Sequence, residues 1–131
     1  MFVHFPVALW TASVAWDALG LGLGAASWWT LSYWCLAAGL AMALPAIATG
    51  FAEFLRIPKG DPAEKTAVWH MYAMSGAAIL FLSSLLLHRP AGAPQPLLPA
   101  LAASLAGLLL LTAGGVLAAR LVYGYGVGMR R

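Results

Sequence analysis

Long runs of apolar residues, interrupted by short polar clusters, set the pattern of this chain. Four runs stand out, at about 5–25, 29–55, 67–88 and 97–122. Each supplies the roughly 20 apolar residues that an α-helix needs to cross the hydrocarbon core of a bilayer. A membrane β-barrel writes itself as short alternating segments, and none is present. The pattern predicts an all-α protein: an integral-membrane four-helix bundle running up and down, one domain over residues 1–131.

Proline and glycine punctuate the runs consistently. Pro6 suits a first-turn position and leaves His4 at the helix entrance. Asp61-Pro62 with Glu64 reads as a turn leading into the third helix, with acidic groups near its positive end. Pro45 lies inside the second run and removes a backbone bond there, which should bend the helix. Ala103, Gly107, Gly114 and Ala118 form a helically spaced stripe of small residues, expected to let a neighbour approach closely.

Composition strengthens the membrane reading. Of 131 residues, 63% are hydrophobic and 8% charged. A soluble domain of this size has too much exterior to hide so much apolar surface. The first residues lack a basic n-region, so no cleavable signal peptide is expected. Cys35, the single cysteine, lies in an apolar run; it rules out an intrachain disulfide and reads as a small buried hydrophobe.

Charge orients the bundle. The link between the second and third runs carries Arg56, Lys59 and Lys65, and the tail carries Arg130 and Arg131, with Arg120 just inside the last helix. The third link holds Arg89 alone, so six of the seven basic residues fall on one side. The positive-inside tendency then makes that link and both termini cytoplasmic. Trp28, Trp29, Tyr33 and Trp34 are expected to form an aromatic belt at the opposite interface. The net charge of +3 serves topology and does not argue for nucleic acid.

Ionisable groups inside spans are costly, and their partners are the first thing to seek. Threading four spans brings His4, Glu53, His70, Arg120 and Tyr123 near one face, and Arg56 stands three residues after Glu53. Two ligands would suit two histidines there. One is haem b, with His4 and His70 as axial ligands, Arg56, Arg120 and Tyr123 near the propionates, and Gly50 and Gly76 leaving room for a flat ring. The other is a zinc, iron or copper ion held by His4, His70 and Glu53. A polar cap with no cofactor is a third reading, and spacing does not separate the three.

Other polar residues read as peripheral. Asp17 stands thirteen positions from His4, which at about 100° per residue puts it on nearly the opposite face, towards Ser83 or Ser84 or a water. His88 and Arg89 read as interfacial. The Gly-Tyr-Gly of LVYGYGVGMRR evokes a potassium-channel filter, but it follows the last span instead of lying between half-helices. A tail folded back over the cytoplasmic face, lidding the site, is expected instead.

Three segments in order, VHFPVALW, GFAEFLRIPKGDPAEKTAVWHMY and LVYGYGVGM, are similar to a bacterial family of four-span membrane proteins known as domain of unknown function 2231. The resemblance spans essentially the whole chain and implies a bacterial inner membrane. It implies histidines at His4 and His70 and an acidic residue, usually aspartate, at Glu53. Fusions of family members to Rieske-type or cytochrome c-type domains imply a redox setting. The reading that follows is a small b-type cytochrome exchanging electrons with quinone or a partner redox protein, with Glu53 fixing a ligand tautomer or pairing with Arg56 or Arg120. A metal-binding membrane protein and a cofactor-free structural or assembly subunit stand as alternatives. Catalytic turnover and assembly into a homo-oligomer stay open.

Overall fold

A computed structural model describes residues 3–88 and 98–128. Arg89, Arg130 and Arg131, three of the residues used to orient the chain, lie outside the described residues. Four helices appear: α1 (His4–Leu23), α2 (Ala26–Phe54), α3 (Pro62–Leu87) and α4 (Leu98–Ala119), the last running on into a π-helical turn over Arg120–Gly124. All four are long and apolar enough to span a membrane. The helices match the four predicted runs, with starts and ends shifted by a few residues.

Local chemistry explains the boundaries. Gly24 ends α1 in the left-handed region (φ 71°), and its N–H donates to the Gly20 carbonyl at 2.9 Å. A residue with a Cβ adopts that conformation only with strain. Asp61 caps α3 by accepting from the Ala63 N–H at 2.8 Å, Pro62 takes the first turn, and Glu64 accepts from the Gly60 N–H at 2.7 Å. The cap thereby satisfies the orphan Ala63 N–H, and Pro62 has no N–H to leave unpaired.

Packing divides the bundle into two hairpins. α1 lies mainly against α2, and α3 mainly against α4, while the pairs touch each other far less. Each hairpin is keyed by rings seated over glycine. A Cβ on Gly20 would stand 2.7 Å from the Trp29 ring, and one on Gly39 would stand 2.6 Å from the Trp10 ring. In the second hairpin Gly107 receives Phe81 and Gly114 receives Met74, so the small-residue stripe of α4 does permit close approach. Trp29 is therefore a buried packing residue, not a member of an interfacial belt as its position suggests; Trp34 remains exposed.

Trp10 and Phe81 join the hairpins, stacked with centroids 4.7 Å apart and backed by Leu36, Ala43, Ala77 and Leu111. A second cluster, Ala63, Ala67 and Leu121 with Phe54, Ile57 and Val127, packs the start of α3 and the end of α2 against the end of α4 and the tail. The tail does fold back, through Val127 N–H donating to Leu121 O at 3.0 Å, but it lands on this cluster. Outward-facing Leu44, Ile47, Leu86 and Leu109 are largely exposed, as expected where the solvent is hydrocarbon.

Candidate functional site

At the link end a groove of about 160 Å³ opens in the seam between the hairpins. Val3, Pro6 and Trp10 of the first segment, Gly50 and Phe51 of α2, and His70, Met71 and Met74 of α3 are among its lining residues. The glycine at 50 leaves open space there, whereas the Gly76 position is already taken up by Leu110.

His70 is the best-defined polar group of this region. Its Nδ1 lies 2.9 Å from the carbonyl oxygen of Gly114. A carbonyl only accepts, so Nδ1 carries the proton, and in a neutral imidazole Nε2 keeps the lone pair. That second-neighbour arrangement is the one by which proteins hold a ligating imidazole in a fixed tautomer. Glycine at 114 also lets α4 come close enough to offer its carbonyl.

The remaining predicted residues gather only in part. His4 opens α1 as an exposed residue between two that line the groove. Glu53 and Arg56 pair with each other, Nη1 to Oε1 at 2.5 Å, on an exposed face. Arg120 and Tyr123 are exposed on the π turn, Tyr123 to 84%, and neither lines the groove. His4, His70 and Glu53 do not come together as a three-ligand group, and among the described residues no such group of His, Cys, Asp or Glu exists.

The opposite end holds a polar cluster that the sequence reading did not assemble. His88 is buried, not interfacial: its Nε2 lies 3.2 Å from Asp17 Oδ1, with both side chains nearly sealed. Its Nδ1 stands 3.1 Å from the Ser84 carbonyl and 3.3 Å from Ser84 Oγ. Ser84 Oγ donates to the Ala100 carbonyl at 2.9 Å and contacts Ser104 Oγ at 2.6 Å. Asp17 thus does reach the Ser84 neighbourhood, but through His88.

Two physical signals pointed there. Ser84 and His88 are four residues apart and share a helix face. The Cα–Cβ bonds of a helix also tilt towards its N-terminus, which carries the His88 ring inward from the end of α3. Reading His88 from its backbone depth alone put it in the wrong medium.

A family model described as "Predicted membrane protein" matches residues 1–131. The chain belongs to the DUF2231 family. The four apolar helices agree with that description, and this family member is a helical membrane protein in contact with lipid. Neither a curated protein nor a solved structure matches the chain.

Proposed function

We propose that this DUF2231 protein is a small b-type cytochrome of the bacterial inner membrane, holding one haem b in the seam groove near the cytoplasmic face. The observation that supports it most is the fixed imidazole of His70, with Nδ1 given to Gly114 O and the lone pair left on Nε2 beside an apolar groove. Such an imidazole is a ready axial ligand. His4, from the first turn of α1, would supply a second imidazole. Bound haem contributes one-electron redox chemistry, with quinone or a redox protein as partner.

The chain's own residues set the terms of binding. Trp10, Phe51, Met71 and Met74 give the groove an apolar lining that would favour a flat apolar ring. The groove's volume of about 160 Å³ is below the range of roughly 300–1,000 Å³ typical of sites that enclose small ligands. A macrocycle therefore requires the hairpins to part along the seam, the more lightly packed interface of the bundle. The reading with a bare metal ion has less behind it, because the Glu53 carboxylate is engaged by Arg56.

Visible spectra of the full chain purified in mild detergent, before and after dithionite, test the proposal alongside elemental analysis. The expected result is a Soret band that shifts on reduction and is lost in His70→Ala and His4→Ala. Stoichiometric zinc, iron or copper without a porphyrin spectrum would favour the metal reading. A colourless protein that stays so after haem is supplied would overturn the cytochrome reading and leave a structural or assembly subunit.

A further inference from the structure

The Asp17–His88 cluster can be assigned its protons by elimination. Ser84 has one hydroxyl proton, and it goes to the Ala100 carbonyl, which can only accept. Ser84 Oγ therefore has none to give His88, and the Ser84 carbonyl has none either. Nδ1 of His88 must be the donor in that contact. What remains is Nε2 facing Asp17 Oδ1 at 3.2 Å. A bare Nε2 lone pair against a carboxylate would be repulsive, so one proton lies in that contact.

Two arrangements satisfy this: imidazolium with carboxylate, or imidazole with carboxylic acid. Both are neutral overall. Losing the proton would leave a net negative charge among buried groups, which is costly in hydrocarbon. Nothing else described in the cluster is ionisable: Ser84 and the Ala100 carbonyl come from α3 and α4, and Ser104 from α4. From α2, the Gly20–Trp29 and Gly39–Trp10 contacts set an antiparallel register that puts Ser32 level with Asp17. Asp17 Oδ2 and Ser32 Oγ are both buried and have no hydrogen-bond partner among the described residues. One carboxyl oxygen is thus held by His88 while the other is open to a hydroxylic partner.

We propose that Asp17 and His88 form a proton-binding site within the membrane, holding one exchangeable proton near the end of the bundle opposite the α2–α3 link. Within the pair the Nε2–H bond breaks as an Oδ1–H bond forms, giving imidazole and carboxylic acid. On release the proton passes to water and the pair is left with one negative charge; uptake reverses this. His88 caps α3, so the site lies at the helix end and not at the centre of the bilayer. The site stands apart from the haem reading and survives if that reading fails.

The test uses the full chain in lipid nanodiscs with ¹⁵N-labelled histidine, read by ¹⁵N NMR and by infrared absorption of the carboxyl group. The His88 resonances are identified by their loss in His88→Gln. The wild type is expected to show either a protonated Nε2 on His88 or a carboxylic acid band, in each case shifting in D₂O. Asp17→Asn should lose both, because the amide donates to Nε2 and leaves it unprotonated, while Glu53→Gln should change neither. If Asp17→Asn does not fold, His88→Gln decides: Asp17 then takes the proton itself and its acid band is present. Absence of both signals in the wild type, their persistence in Asp17→Asn, a proton that never exchanges with D₂O, or an ionised Asp17 in His88→Gln would each overturn the site.

Discussion

The two ends of this bundle solve opposite problems with similar side chains. At one end His88 is buried against Asp17 and Ser84, with both ring nitrogens engaged. At the link end His70 is held through Nδ1 alone among the described residues and borders a groove. A histidine with both nitrogens engaged has no lone pair to offer an added ligand. One with a free lone pair beside a cavity is available to a ligand. The difference comes from the seam: the hairpins are tied at the Trp10–Phe81 stack and open towards the α2–α3 link.

Substitutions that attack the sealed side should cost stability. Asp17→Ala leaves His88 buried against an apolar wall, and breaking such a pair typically costs about 3–5 kcal/mol. Denaturant titration in detergent should show the loss, and Asp17→Asn should restore most of it by keeping a hydrogen bond to Nε2. Phe81→Ala removes the stack on Trp10 and empties a fully buried site, for an expected loss of about 3–5 kcal/mol in the same assay. A wild-type midpoint in either variant would mean the sealed side is not a core.

Smaller effects should follow from the hairpin keys. Gly39→Ala places a methyl against the Trp10 ring and is expected to cost about 1–3 kcal/mol through overpacking. Gly50→Ala, in open space beside the groove, should leave thermal stability unchanged while weakening any haem signal. Arg56→Ala should matter least: its pair with Glu53 is exposed, 73% and 44% by side chain, and such pairs contribute about 0–1 kcal/mol. A large loss there would show that the link end is more tightly built than its geometry indicates.

The four helices were legible because each needs only its own composition to be recognised. The turn into α3 was legible for the same reason, since Asp61, Pro62 and Glu64 act within a single turn. What escaped was everything decided between helices. Trp29 and Trp34 belong to one aromatic run, and only Gly20 across the hairpin explains why the first is buried and the second is not. Asp17 and His88 are 71 residues apart, and no periodicity within either helix reports on the other. Matching residues by membrane side groups them by depth, but side chains at one depth can point to different faces. Arg120 and Tyr123 share that depth and remain on the outside.

The turn between α1 and α2 has a consequence for how the protein enters its membrane. Only Gly24 and Ala25 separate the two helices, and neither they nor the flanking residues carry a charge. A hairpin tip of this kind presents no ionised group to be stripped of water on its way across the bilayer. The two ring-over-glycine keys hold its limbs in a single register from the moment they meet. The first half of the chain is thus built as one hairpin with an uncharged tip, and Asp17, its one buried acidic group, finds a partner only when His88 of the second hairpin is in place.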